Sequence, residues 1–311
     1  MGPLLFLCYV NDMETSISSD CKLLLYADDS TILFSHHDPN VISAKLGSEL
    51  KSCSEWLVDN KLSLHLGKTE CIIFGSKRKL KKVKDFKISC NGHTILSQTS
   101  VKYLGLNIDQ FTSGEIVVNN IVSKVNARLS FLYRYKKCLS EKSRKTVCMA
   151  LIQCHFDYSC SSWFSGLNKT LKNKLQVAQN KTIRFIKNLD FRASIKYPVF
   201  QEIGVLNVEN RVRQLRLNHV HKIMFNKCPS YMKNSFVKLR DCHSYNTRSS
   251  QHNFYVPPVQ GMAINTFYYN SIKDWNNLPN ELKNIENHDA FKKGVKDFLF
   301  EKLKREHRCD S

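Results

Sequence analysis

The chain has 311 residues, of which 42% are hydrophobic and 24% charged, so it can form packed cores and is not a disordered polyelectrolyte. Lysine and arginine number 47 against 27 aspartates and glutamates, and this net charge of +20 favours nucleic acid as a partner over an acidic membrane surface. No apolar run approaches membrane-spanning length, and the length predicts about two domains.

The apolar start, residues 3–10, is not typical of a signal peptide. It lacks a basic region before it and a small-residue cleavage site after it. It also begins without a cap or a turn, which is typical of an element cut from a longer one. The twelve cysteines are scattered and do not form the framework of a small secreted protein. We therefore expect an intracellular protein, in the nucleus or cytoplasm, with reduced thiols.

Two short β-prone runs, residues 23–26 and 31–34, flank the acidic pair Asp28-Asp29. This pattern predicts a tight hairpin with both carboxylates at its tip. Carboxylates placed there are partly solvated and can hold a divalent cation. The alternative is that they only form the turn, because aspartate tolerates turn geometry.

In the rest of the chain to about residue 112, apolar segments are separated by turn residues. Gly105 inside the last expected strand indicates a bulge or a close backbone approach. The expected elements are a helix over 41–60, a strand over 71–74, a hairpin of 86–90 and 93–96 around Asn91-Gly92, and a strand over 101–108.

Residues 77–84 are a basic run that includes Lys77, Arg78 and Lys79. A solvated loop is one interpretation, and contact with phosphates is the other.

After Gly114 the pattern becomes helical and basic. The expected helices are residues 115–137, 141–158, 168–188, 207–226, 271–277 and 289–304, with a polar stretch at 240–262. The predicted fold class is α+β: a mixed part to about residue 112, then a mostly α-helical part.

Two groups of cysteine and histidine have no Cys-x-x-Cys pair, so we expect no zinc. We interpret the first group as buried structural thiols and the second as an ordinary loop. The groups are Cys148, Cys154, His155 and Cys160, and Cys228, Cys242, His243 and His252.

Taken in order, several motifs resemble the reverse transcriptases of non-LTR retrotransposons, jockey-like elements in particular. Their order and spacing agree over nearly the whole chain. They are Gly2-Pro3-Leu4-Leu5-Phe6, Tyr9-Val10-Asn11-Asp12, Tyr26-Ala27-Asp28-Asp29, Gly67-Lys68-Thr69, Lys102-Tyr103-Leu104-Gly105, Gln179-Asn180 with Arg184, Tyr245-Asn246-Thr247-Arg248 and Trp275-Asn276-Asn277-Leu278-Pro279.

The resemblance implies a role for each motif and a division into three regions. Asp28 and Asp29 would be catalytic and bind Mg²⁺ in a two-metal nucleotidyl transfer, with Tyr26 near the primer end. Lys68 would donate a proton or stabilise the departing pyrophosphate, or it is a surface lysine. Tyr103, Leu104 and Gly105 would hold the primer, or they belong to a core strand. The partial palm with its YADD hairpin would span residues 1–112, thumb-like helices 113–165, and a basic C-terminal region 166–311.

In this family another essential aspartate lies upstream of Gly2-Pro3-Leu4, together with the fingers and an endonuclease. None is found in this sequence, and Asp12 is in the wrong context to replace that aspartate. We therefore expect the carboxy-terminal part of an RNA-directed DNA polymerase, with an incomplete Mg²⁺ site and no polymerase activity on its own. RNA template and DNA primer are the expected partners. The alternatives are a non-catalytic nucleic-acid-binding protein and a degenerate transposon remnant.

Overall fold

The computed structural model describes residues 1–83, 85–242 and 252–309. The chain divides into two compact units, Met1–Thr112 and Ser113–Ser311. Helices and antiparallel strand pairs form the first unit, and helices dominate the second, so the α+β class is confirmed. A palm identity for the first unit and a boundary at residue 165 stay predictions.

The first unit contains three helices, two 3-10 turns and three two-stranded antiparallel sheets among its described residues. In chain order these are α1 (Gly2–Val10), a 3-10 helix (Asn11–Ser16), β1 (Lys22–Tyr26), β2 (Asp29–Leu33), α2 (Pro39–Asp59), a 3-10 turn (Leu66–Lys68), α3 (Lys77–Leu80), β3 (Lys87–Cys90), β4 (His93–Leu96), β5 (Ser100–Tyr103) and β6 (Leu106–Asp109).

Helix α2 organises the core of this unit, and the predicted helix over 41–60 is confirmed. It begins after Asp38, whose carboxylate accepts a hydrogen bond from the amide of Asn40 at 2.9 Å, a standard N-cap. Its apolar side packs against β3 in a cluster that includes Leu50, Phe86 and Ile88. Burial of these side chains fixes which face of α2 turns inward.

The hairpin predicted around Asn91-Gly92 is confirmed, since both residues have the positive φ of a two-residue turn, 49° and 78°. The single strand predicted over 101–108 is wrong. Leu104 and Gly105 also have positive φ, 44° and 83°, so the chain reverses there and β5 pairs with β6. Gly105 alone predicts a bulge or a close backbone approach and not a two-residue turn, because leucine seldom occupies the left-handed region.

The strand predicted over 71–74 is also wrong. Only Cys71 pairs, in a single parallel bridge to Ser97 just beyond β4. Residues 77–80 of the basic run form the short helix α3 rather than a loop, begun by the Ser76 hydroxyl, which accepts from the Lys79 amide. Lys84 lies outside the described residues.

Helices make up the second unit, and the long predicted ones are confirmed with small boundary changes. A π-helical turn (Met149–Gln153) interrupts the helix expected over 141–158. The described elements are α4 (Glu115–Arg134), α5 (Glu141–Cys148), the π turn, α6 (Cys154–Asp157), α7 (Cys160–Trp163), α8 (Lys169–Lys187), α9 (Tyr197–Ile203), α10 (Val208–Met224), α11 (Leu239–Cys242), α12 (Phe267–Asn276), α13 (Asn280–Lys283) and α14 (His288–Cys309), with 3-10 turns at Lys136–Cys138, Phe164–Gly166, Ser230–Ser235 and Gly261–Asn265.

Three helix pairings organise the second unit: α4 packs on α8, and α10 packs on both α12 and α14. The largest fully buried side chains in the described chain all lie in this unit, among them Phe185, Phe254 and Phe291. No described helix combines the length and the apolar character needed to cross a membrane.

Candidate functional site

The tetrapeptide Tyr26-Ala27-Asp28-Asp29 lies at the turn of a hairpin. Strands β1 and β2 pair antiparallel with Tyr26 opposite Asp29, so Ala27 and Asp28 form the turn. Ala27 has a φ of 52°, a left-handed conformation that alanine seldom adopts. The expectation that both carboxylates form the tip is therefore wrong in one detail, because Asp29 is already the first residue of β2.

One face of this hairpin is open. Directly paired residues point to the same face and side chains alternate along a strand, so Leu24, Tyr26 and Asp29 share a face. The other face carries Ile32, which packs against the core beside α2. Tyr26 is 66% exposed and Leu24 45%, and Asp28 and Asp29 are exposed as well. A ligand can therefore reach the ring and both carboxylates.

The donor set at the turn fits Mg²⁺ in type but not in number. Carboxylate oxygens are the ligands this ion prefers, and it commonly takes one or two carboxylates together with water and substrate phosphates. In the described parts of the chain, no group of three or more aspartate, glutamate, histidine or cysteine side chains is close enough to hold a metal. Asp28 and Asp29 alone do not make the shared cage that a two-metal centre needs.

Lys68 is the last residue of the 3-10 turn Leu66–Lys68. It does not lead into a strand, in contrast to the prediction. Its side chain is exposed and forms no ion pair with any residue that the structure describes. No hydrogen bond or ion pair joins Lys68 to Asp28 or Asp29 within the described chain. Its predicted partnership with the hairpin remains a prediction.

The segment Tyr103-Leu104-Gly105 forms the β5–β6 turn. Tyr103 and Leu104 are half-buried, and Gly105 is exposed. Leu104 carries a backbone conformation that costs a branched side chain of this size about 1–3 kcal/mol, and such strain concentrates at functional sites. At Gly105 the turn exposes backbone without a side chain, which suits contact with a polymer strand.

The cations of α3 lie on the surface of the first unit. The Lys77 ammonium sits over the Phe111 ring, 5.5 Å from its centroid. Arg78 and Lys79 are exposed, and neither forms an ion pair with a described residue. These three residues therefore offer positive charge that no acid in the described chain neutralises.

The sequence did not predict the role of two exposed aromatic residues at the end of α4, Phe131 and the C-cap residue Tyr135. Their spacing of four residues, following Lys124 and Arg128 at spacings of four and three, was the available signal. The exposure of the rings cannot be predicted from the sequence, because packing against α8 decides which side of α4 is covered.

The cysteine and histidine groups do not assemble a ligand cage in the part of the chain that is described. In the first group Cys148 and Cys160 are buried, and burial raises the pKa of each thiol to about 12. The prediction that the group consists of buried thiols is wrong for Cys154, which is exposed on α6. In the second group His243 lies outside the described residues, as does the motif at 245–248.

Residues 1–108 match the family model of the reverse transcriptase, an RNA-dependent DNA polymerase. The matched stretch contains the hairpin, Lys68, α3 and the Tyr103–Gly105 turn, and it supports the reverse-transcriptase interpretation of this part of the chain. A nucleic acid is therefore the implied partner of the matched domain. No curated protein and no solved structure matches the chain.

Proposed function

We propose that the chain is the carboxy-terminal part of a reverse transcriptase from a jockey-like non-LTR retrotransposon. The observation that carries the proposal is the family match over residues 1–108 together with Tyr26-Ala27-Asp28-Asp29 at an open hairpin turn. The subtype rests on the order of the motifs along the chain. On this proposal residues 1–112 are a partial palm, 113–165 a thumb, and 166–311 a basic C-terminal region.

The proposed site residues are accessible to a nucleic acid. Asp28 and Asp29 bind metal and substrate phosphates, and Tyr26 lies beside the primer end. Lys68 acts on the departing pyrophosphate, and Tyr103, Leu104 and Gly105 hold the primer strand. Exposure of both carboxylates and of Tyr26 supports these roles, as does the exposed backbone of Gly105 in the β5–β6 turn.

We expect the 311-residue chain alone to lack polymerase activity, because its described residues bring two carboxylates to the turn and no third. The test is primer extension with an RNA template, a DNA primer, deoxynucleotides and Mg²⁺, comparing the chain with Asp28→Ala. Neither protein should extend the primer. Mg²⁺-dependent extension that Asp28→Ala abolishes would contradict the expectation.

A non-catalytic nucleic-acid-binding protein is the second candidate. It is favoured by the many lysines and arginines that have no acidic partner in the described chain, since such charges contact phosphates without any metal. Salt-dependent binding to RNA and DNA without primer extension supports it, and absence of binding opposes both candidates. A degenerate remnant that is never made is distinguished by a search for the protein in host tissue.

A further inference from the structure

Two neighbouring aromatic rings lie exposed at the end of α4. Phe131 is 54% exposed and Tyr135 is 52% exposed, with ring centroids 5.3 Å apart and ring planes tilted by 55°. Large aromatic rings dominate cores and interfaces, so an exposed adjacent pair in a unit with well-filled cores indicates a contact surface.

The rings continue a line of two cations along one side of the helix. Lys124, Arg128, Phe131 and Tyr135 are spaced by four, three and four residues, which places them in one row. At 1.5 Å per residue the row is about 17 Å long. We call these four residues the α4 stripe. Toward the start of α4 the same row continues into Ile121 and Val117, which are buried, and the buried Val125, Leu129 and Leu132 form the adjoining side of the helix.

The positive charge of the stripe is not neutralised by the described residues. Neither Lys124 nor Arg128 forms an ion pair there, and the one acid of α4, Glu115, lies nine residues before Lys124. The two cations also act on a neighbouring residue, His155. The pKa of His155 is lowered first by burial and then by the charges of Arg128 and Lys124.

We propose that the α4 stripe binds single-stranded nucleic acid, with bases stacked on Phe131 and Tyr135 and phosphates contacting Lys124 and Arg128. Alternation of flat rings with cations is what a flexible, anionic chain of aromatic bases requires. A duplex hides its base faces and offers these rings nothing to stack on. The inference deepens the proposed function, on which the choice of a nucleic acid as partner rests.

The ring geometry specifies how a base stacks. A base needs a gap of about 7 Å to slide between two rings, twice the step of about 3.4 Å between stacked bases. The centroids are only 5.3 Å apart, so each base stacks on the outer face of a ring rather than between them.

Tyr133, on the same helix, provides the contrast. Its ring packs against Phe185 with a centroid distance of 5.0 Å, and the Lys136 ammonium lies 5.3 Å from its centroid. Its ring is thus already engaged by Phe185 and a cation, although its side chain is 45% exposed. Among the described residues, no cation lies over the rings of Phe131 and Tyr135, so we place these two rings and not Tyr133 in the stripe.

The test uses the full chain and a single-stranded oligonucleotide that contains 2-aminopurine, whose fluorescence falls when the base stacks on a ring. The variant Phe131→Leu/Tyr135→Leu keeps apolar bulk and helix propensity but removes both rings. Affinity for the single strand should fall about tenfold for each ring lost, and the quenching should disappear. Affinity for duplex should change by less than about twofold.

Matched variants separate stacking from charge and from folding. Tyr231→Leu removes an aromatic ring that is 71% exposed in the 3-10 helix Ser230–Ser235, and it should leave quenching intact. Lys124→Gln/Arg128→Gln should weaken binding and its salt dependence, more than Lys302→Gln/Arg305→Gln, which removes the same charges from α14. Phe131→Tyr/Tyr135→Phe should retain binding, since both rings remain.

Unchanged single-strand affinity and quenching in the Leu double variant would overturn the inference while leaving the proposed function intact. An equal loss of duplex binding would also overturn it, because the stripe would then follow a backbone rather than bases. A wild-type chain that binds no polynucleotide would overturn the inference and the proposed function together.

Discussion

Two histidines hydrogen-bond to each other inside the second unit. The His221 Nε2 lies 2.8 Å from the Ile285 carbonyl oxygen, which can only accept, so this nitrogen carries the proton. The Nδ1 of neutral His221 must then accept from Nδ1 of His288, 3.1 Å away. The tautomers of both rings follow from this chain of hydrogen bonds. Protonation of His221 would make its Nδ1 a donor, so that His288 could keep the bond only in its other tautomer.

Stability should therefore decrease as pH falls below about 6.5, the ordinary pKa of histidine. Burial lowers the pKa of His221 and of His288, with further lowering by Lys222, Lys227 and Lys292 around them. The unfolded chain then binds protons more readily than the folded chain, so acid favours unfolding. Urea unfolding at pH 7.5 and 5.5 measures this, with His221→Gln reducing the pH dependence and exposed His93→Gln leaving it unchanged. An equal change in unfolding free energy between the two pH values for wild type and His221→Gln would contradict this prediction.

At the scale of elements, the contact between α2 and β3 depends on a glycine. A Cβ placed on Gly47 would lie 2.8 Å from the backbone carbonyl oxygen of Ser89, closer than real Cβ contacts come. Because that oxygen belongs to the strand itself, the strand has to shift if the side chain is added. The helix and the strand thus approach as closely as they do only because residue 47 has no side chain.

Gly47→Ala should destabilise the first unit by about 1–3 kcal/mol from overpacking, which exceeds the gain of about 1 kcal/mol in helix propensity. Native-state hydrogen exchange of peptides from α2 and β3 measures the loss. Ser48→Ala is the control, since Ser48 is the exposed neighbour and should change stability by less than about 0.5 kcal/mol. Slower exchange in Gly47→Ala would show that β3 yields without cost.

Elements with local signals were predictable, and those set by distant packing were not. Asn91-Gly92 predicts its hairpin because both residues accept positive φ. Leu104 does not predict a turn, so the sequence predicts one strand where β5 and β6 form a hairpin. Helix α9 was missed although Pro198 begins it and Gly204, with φ of 69°, ends it. Seven residues are too few for a helical period to stand out.

At the site, the motif was predictable and its geometry was only partly so. Two short β-prone runs on either side of the acidic pair predicted the hairpin, but the turn lies one residue earlier than expected because Ala27 takes the left-handed conformation there. The α4 stripe was out of reach because its exposure depends on where α8 packs. Sequence spacing shows which residues share a face, and tertiary contacts decide which face stays open.

At the scale of the whole molecule, whose net charge is +20, the sequence carries far more lysines and arginines than the ion pairs of the fold engage. Ion pairs among the described residues engage eight lysines and arginines of the 47 in the sequence. The exposed pairs among them, such as Lys51 with Glu55, contribute little to stability. The exposed cations that form no ion pair with a described residue are available to release counterions from a polyanion.

Binding to an RNA–DNA duplex should therefore weaken steeply with salt. If α3 contacts phosphates, Lys77→Gln/Arg78→Gln/Lys79→Gln should lower the slope of log K against log salt by about 3, one for each contact. Fluorescence anisotropy at several salt concentrations measures it, with Lys302→Gln/Lys304→Gln/Arg305→Gln as the control of equal charge. Equal slopes for the two triple variants would assign binding to net charge rather than to α3.

The partition of the thiols gives the molecule a means of selective labelling. Cys53, Cys71, Cys148 and Cys160 are buried, and their raised pKa leaves almost no thiolate at neutral pH. Cys138 is exposed three residues beyond Tyr135. In a variant whose other exposed cysteines, Cys8, Cys154 and Cys242, are replaced by serine, a maleimide dye attached to Cys138 would report what approaches the two rings. The buried, unreactive thiols would stay in the cores that they help to fill.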